Sequence, residues 1–71
     1  MNRINPEKLL MSKWTAVQPH EKEKHFIVTK LIRADNKTIT GCELEAVINK
    51  NIYEMDWHKL EDSNYWKTGW V

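Results

Sequence analysis

Hydrophobic residues along the chain fall into short blocks separated by polar turns, a pattern that predicts β-strands rather than long helices. Strand-forming residues first gather at positions 13–17, and Gln18 and Pro19 are expected to end that segment. Residues 20–24 alternate in charge and include no apolar side chain, so they predict an exposed loop.

The strongest predicted strand covers residues 25–32, where β-branched and aromatic side chains occupy both parities. Such a run is typical of a strand that is buried on both faces or strongly bent. A second long strand is predicted over residues 38–48, and Gly41 within it favours a bulge or a sharp bend. Residues 52–57 alternate between apolar and acidic side chains and predict a further strand.

Two short helical turns are predicted beside these strands. Asn5 is a favoured N-cap and Pro6 a favoured first helical residue, which indicates a turn near the N-terminus. Asp56 is expected to cap a second turn that follows the last alternating segment. In the tail, Trp66 and Trp70 are four positions apart, so they are expected to share one side and to act together.

These elements predict an all-β fold in a single domain, residues 1–71. Four strands in about 50 residues, joined by tight turns, favour a small antiparallel sheet with a short N-terminal helical turn. A bend at Gly41 would curl this sheet into a partly open SH3-like barrel. An open meander with the terminal helical turn packed across it is the alternative.

The core must be built from large side chains, because a domain of this length buries only ~60% of its unfolded surface. One cysteine, Cys42, allows no internal disulfide, and its inward position predicts the role of a small hydrophobe. Seven aromatic residues supply the needed area. The predicted core consists of Phe26, Val28, Leu44, Ala46, Tyr53, Met55 and Trp57.

Composition narrows the setting of the protein. No apolar run reaches the ~18 residues of a membrane span, and the N-terminal segment lacks the apolar stretch of a secretory signal. A lone thiol fits a reducing compartment, so a cytoplasmic location is expected.

The formal charge of +1 conceals an asymmetry between the two halves. Residues 1–37 carry eight basic and four acidic side chains, whereas residues 38–71 carry three basic and six acidic ones. Nucleic-acid binders are usually plainly basic, which this chain is not, although one face could still be basic. Alternatively, the charge asymmetry serves the fold itself, because the basic half and the acidic half attract each other.

Catalytic and metal-binding patterns are missing from the sequence. The three histidines and Cys42 have no metal-ligand spacing, and the two glycines are too far apart for a phosphate loop. No serine lies in a nucleophile motif, and the carboxylates of the strands are expected to form a solvated outer patch. We therefore expect no enzyme activity, no metal and no cofactor.

The chain resembles the small tryptophan-rich bacterial proteins catalogued as conserved hypothetical. The resemblance is carried by Asn5-Pro6, Lys8-Leu9-Leu10, residues 12–17, Pro19, residues 23–26 and 28–30, residues 44–47, Asp56-Trp57, Leu60, Asp62, Trp66 and Gly69-Trp70. It implies a bacterial cytoplasmic protein, and it implies no activity, substrate or cofactor.

Binding is the function class that these observations leave. Exposed aromatic side chains are typical anchors of protein interfaces, so an unidentified protein partner or self-association is expected. A single-stranded RNA or DNA partner is the alternative, because basic and aromatic residues alternate in places. The candidate binding surface consists of Lys13, Trp14, Lys22, Lys24, Trp66, Lys67 and Trp70.

Overall fold

The computed structural model describes all 71 residues as one antiparallel sheet with two 3₁₀ turns. The strands are β1 (Lys13–His20), β2 (Glu23–Arg33), β3 (Ile39–Ala46), β4 (Ile52–Asp56) and β5 (Trp66–Thr68). They lie in the order β4-β3-β2-β1-β5, so that β4 and β5 form the two edges. The all-β prediction is confirmed, with five strands instead of about four, and the open sheet is consistent with a partly open barrel.

Both predicted helical turns are present and capped as expected. Asn5 caps the first turn, Pro6–Lys8, and its side chain accepts a hydrogen bond from the Glu7 N–H at 3.1 Å. Asp56 caps the second turn, Trp57–Glu61, by accepting from the His58 N–H at 2.9 Å. Neither turn has the length and apolar character that a membrane-crossing helix needs.

The loop predicted at residues 20–24 is wrong, because β1 runs on through Pro19 to His20. Only Glu21 and Lys22 form the turn, and both have positive φ, 52° and 67°. Glu and Lys do not predict such a tight hairpin turn, for which Gly and Asn are the usual signals. Pro19 is tolerated because β1 here bulges away from β2 and has passed the end of β5.

The bend predicted in β3 is present, and it explains which side chains are buried. A register shift places Ile39 opposite Arg33 and Gly41 opposite Ile32, so Thr40 is the extra residue of a bulge and Ile39 is buried. Any Cβ at Gly41 would lie 2.8 Å from a backbone oxygen of β4. β3 ends at Ala46, earlier than the strand predicted over residues 38–48, so Ile48 lies in the following turn and is 63% exposed.

The core covers one face of the sheet, which we call the inner face. Its buried cluster consists of Leu9, Trp14, Phe26, Val28, Cys42, Leu44, Ala46 and Leu60. Leu9 is the C-cap residue of the first 3₁₀ turn and Leu60 lies in the second, so both turns deliver a leucine to the core. The prediction of a buried Cys42 is therefore confirmed.

The predicted core is largely found. Phe26, Val28, Leu44 and Ala46 are buried, while Met55 and Trp57 are half-buried and pack against the cluster. Tyr53 is an exception, with 39% of its surface exposed, because the edge strand β4 has no neighbour to cover it.

After β5 the chain crosses to the opposite, outer face of the sheet. Gly69 adopts a φ of 78° and redirects the tail over β1. The Thr15 hydroxyl donates to the Gly69 carbonyl at 2.6 Å and accepts from the Val71 N–H at 3.1 Å. Trp66 therefore lies on the inner face and Trp70 on the outer face, so the expectation that they share one side is wrong.

Candidate functional site

An open groove of about 890 Å³ runs along the inner face, where the sheet fails to close into a barrel. The edge strand β4 borders one side, and the ends of β1 and β5 border the other. Four aromatic residues line it: Phe26, Tyr53, Tyr65 and Trp66. The groove is therefore a direct product of the open sheet.

The aromatic rings of the groove are arranged around Phe26, which is buried and forms its floor. Trp66 meets this ring edge-on, with centroids 5.3 Å apart and planes 78° apart. Tyr53 meets it from β4, at 6.1 Å and 66°. Edge-to-face contacts of this kind hold the three rings in fixed positions. The Tyr53 and Trp66 rings still present part of their surface to the groove.

The four tryptophans differ in what their indole N–H groups do. Three donate to acceptors within the protein: Trp14 to the Ser12 hydroxyl at 2.8 Å, Trp57 to the Ile39 carbonyl at 3.0 Å, and Trp70 to the Phe26 carbonyl at 2.9 Å. Trp66 makes no side-chain hydrogen bond within the protein, and its indole N–H is not buried. Trp66 thus contributes apolar surface to the groove, and its indole N–H remains an accessible donor without a partner in the protein.

A buried carboxylate holds one end of the groove together. Glu23 is only 6% exposed and accepts hydrogen bonds from the Tyr53 hydroxyl at 2.6 Å, from Asn49 at 2.8 Å and from Asn51 at 3.0 Å. These hydrogen bonds lower the pKa of Glu23 because they stabilise its charged form, and the bond from Tyr53 has the largest effect. The same hydrogen bond raises the pKa of Tyr53. Glu23 thereby ties the β1–β2 hairpin to the β3–β4 turn and fixes the orientation of the Tyr53 ring.

The charge around the groove is predominantly negative. Besides Glu23, the lining contains the carboxylates of Glu21, Glu54 and Asp62, and Lys59 is the one lysine or arginine among the lining residues. Glu21 and Glu54 are exposed and form no ion pair. This arrangement attracts cationic groups and repels phosphates.

The structure distributes the predicted binding residues over several places. Lys13, Lys67 and Trp70 lie on the outer face, where the Lys13 ammonium is 4.8 Å from the centre of the Trp70 ring. Lys22 and Lys24 are exposed at the β1–β2 hairpin, and Trp66 lines the groove. Trp14 does not belong to a surface at all, because it is 3% exposed in the core. The alternation of strand positions buried it on the same face as Phe26, its cross-strand neighbour.

Cys42 and the His58–Asp56 pair lie outside the lining of the groove. Burial raises the pKa of the Cys42 thiol to about 11, with Asp56 adding to the effect. His58 and Asp56 form an exposed pair, with His58 Nδ1 2.7 Å from a carboxylate oxygen. The pKa of Asp56 is lowered, first by the backbone N–H of His58 and then by its side chain. This pairing serves the cap of the second 3₁₀ turn.

Comparison with known proteins identifies the family of the chain. The family described as "Tryptophan-rich protein (DUF2389)" matches residues 12–71, a range that includes all five strands and all four tryptophans. The chain belongs to DUF2389. The resemblance to small tryptophan-rich proteins is thereby confirmed. No curated protein and no solved structure matches the chain.

Several groove residues of this DUF2389 protein are not apparent from its sequence. Glu23 looks like one charge of a solvated run, and its three donors come from segments that are 26 to 30 positions away. Tyr65 precedes β5 and shows no pattern of its own. The spacing of Trp66 and Tyr53 from Phe26 likewise carries no signal, because these contacts join three strands that only the tertiary fold brings together.

Proposed function

We propose that this DUF2389 protein is a non-enzymatic binding module whose inner groove holds an exposed segment of a protein partner. One observation carries the proposal: Trp66 stands in an open, aromatic groove with its indole N–H unused by the protein. The proposal places the module in the cytoplasm, in keeping with its lone cysteine.

The groove offers a peptide two kinds of interaction. The Phe26, Tyr53 and Trp66 rings present rigid apolar area, which orders few rotatable bonds when a partner binds. The indole N–H of Trp66 can donate to a peptide carbonyl, so the apolar contact is combined with a directional one. Tryptophan and tyrosine in such partly covered positions are the residues that most often dominate interface affinity.

The burial of Cys42 supports a non-enzymatic role. A thiol with a pKa of about 11, enclosed in the core, supplies little thiolate near neutral pH. The exposed His58–Asp56 pair lies outside the lining of the aromatic groove, and it belongs to the cap of the second 3₁₀ turn.

Binding of single-stranded nucleic acid is a second candidate, favoured by the Lys13–Trp70 contact on the outer face. Lys67 lies on the same face, so a base could stack there beside two ammonium groups. The acidic groove is unsuited to phosphates, and therefore the two candidates predict binding on opposite faces of the sheet.

Selection from a displayed library of random peptides tests the main proposal. Tyr65→Ala removes an exposed groove ring, and Ile48→Ala removes a similarly exposed side chain in the β3–β4 turn as the matched control. We expect selected peptides to bind the wild type and Ile48→Ala alike and to bind Tyr65→Ala about tenfold more weakly.

Two results would overturn it. The first is that no peptide rises above background, and the second is that selected peptides bind Tyr65→Ala as tightly as the wild type. The indole N–H signals in NMR spectra separate the candidates further. A saturable, salt-sensitive shift of Trp70 with single-stranded RNA or DNA, without any peptide effect on Trp66, would replace the peptide site by the nucleic-acid site.

A further inference from the structure

The groove follows the free edge of β4, and this position constrains what can occupy it. Tyr53, Glu54 and Met55 are consecutive in β4 and all line the groove. In a strand, successive side chains point to opposite faces. Three consecutive residues can therefore line one groove only if it runs along the edge of the strand.

The backbone of that edge is available for pairing. The Ala46 N–H donates to the Asn51 carbonyl at 2.8 Å, which fixes the phase of the β3–β4 ladder. Because hydrogen-bonded and non-hydrogen-bonded pairs alternate, Tyr53 and Met55 bond to β3, while Ile52 and Glu54 turn their N–H and C=O groups to the open edge. No backbone hydrogen bond outside the regular elements involves Ile52 or Glu54.

We infer that the partner segment binds as an additional strand on β4 and that it alternates basic with apolar side chains. This inference rests on the proposed function, for which it specifies the partner. Apolar side chains of the segment face Tyr53 and Trp66 on the inner side, and a Lys or Arg side chain lies beside Glu54 on the outer side. Main-chain hydrogen bonds supply affinity in such strand addition, and the alternating side chains supply selectivity.

Charge decides between this segment and a second copy of the chain. β4 itself carries Glu54 and Asp56, and pairing two β4 edges would place these carboxylates near their counterparts. Like charges across a strand pair are destabilising, whereas opposite charges stabilise it. The remaining carboxylates of the groove add to the negative field that attracts a basic segment, so the partner is a different protein with an exposed basic strand.

The length of β4 sets the size of the segment. Its five residues span about 17 Å at the usual rise of a strand. A partner therefore needs only about five extended residues, such as a tail or a long loop, to cover the edge.

Titration with a short peptide of alternating Lys and Val, followed by NMR, tests the inference with two readouts. We expect the Trp66 indole N–H to shift and the amide protons of Ile52 and Glu54 to become protected from hydrogen exchange. We also expect no binding by a peptide of alternating Glu and Val, and weaker binding by a Lys–Val peptide of the same composition in blocks.

Variants separate charge from backbone pairing. Glu54→Gln should weaken binding of the Lys–Val peptide about two- to fivefold, whereas Asp35→Asn, in the exposed β2–β3 turn, should not change it. Both substitutions are isosteric and lie at exposed positions, so both variants are expected to fold.

The possible failures are distinguishable. A shift of Trp66 without protection of the Ile52 and Glu54 amides would refute strand addition and leave the groove as a peptide site. Binding of library-selected peptides that lack basic residues would refute the charge preference. If neither the Lys–Val peptide nor any selected peptide moves Trp66, both the inference and the proposed function are wrong.

Discussion

Replacing Trp14 tests whether the core has been assigned correctly, since the alternative would place this residue at a surface. Its side chain is 3% exposed, and its indole N–H donates to the Ser12 hydroxyl, which in turn donates to the Leu9 carbonyl at 2.5 Å. Trp14→Ala deletes a buried ring and leaves a cavity between the sheet and the first 3₁₀ turn. Such changes cost about 3–5 kcal/mol.

The size of the domain makes this cost decisive. Stabilities of about 0.05–0.15 kcal/mol per residue give about 4–11 kcal/mol for a chain of this length. Trp14→Ala should therefore remove much of the unfolding free energy, and Trp14→Phe, which keeps most of the volume, should cost about 1–2 kcal/mol. Trp70 is 42% exposed, so its removal should leave no enclosed cavity. Trp70→Ala should therefore cost only about 2 kcal/mol.

Urea unfolding followed by far-UV circular dichroism measures all three variants against the wild type. The expected order of stability is wild type, Trp14→Phe near Trp70→Ala, and Trp14→Ala lowest. A Trp14→Ala variant that unfolds within about 1 kcal/mol of the wild type would show that Trp14 is not a core residue.

Three further predictions follow from individual sites. Gly41→Ala should destabilise the domain by about 1–3 kcal/mol in urea unfolding, because the new Cβ would meet the Met55 carbonyl oxygen at 2.8 Å; no loss would refute the close approach. Cys42 should react slowly with a thiol reagent at pH 9 in the native state and rapidly in urea, since burial raises its pKa to about 11; fast native labelling would contradict this. The folded state lowers the pKa of Glu23 below its ordinary 4.5, so its stabilising contribution is complete above that value and is lost as the pH falls through the folded pKa. The urea midpoint should therefore drop on acidification, and Glu23→Gln should reduce that drop; an identical pH profile in the variant would argue against the network.

Local signals in the sequence predicted the parts of the fold that depend on neighbouring residues. Asn5 before Pro6, Asp56 before Trp57, and the run of apolar residues in β2 all act within a few positions, and the structure contains each corresponding element. The bulge in β3 is likewise indicated by one glycine between two apolar sets.

The parts that could not be predicted depend on backbone conformations or partners that the local pattern does not contain. A two-residue turn with positive φ at Glu21 and Lys22 carries no usual marker, so β1 was expected to end too early. The spacing of four positions predicted that Trp66 and Trp70 share one side. This prediction is wrong because Gly69, with its positive φ, changes the direction of the chain between them. The groove was missed because its walls belong to segments that meet only after the sheet has formed.

The pairing of β5 with β1 indicates when the groove forms during folding. The β3–β4 turn closes a loop of only a few residues, whereas Ala16 meets Trp66 across 50 positions. The longer loop corresponds to nearly three doublings of the shorter one, so closing it costs about 1.7 kcal/mol more in chain entropy. We therefore expect β5 to join a sheet that already exists and to be the first strand to leave it. Because Trp66 forms one wall of the groove, the groove is expected to form only in the final step of folding, and a partner bound at the proposed site would slow the first step of unfolding.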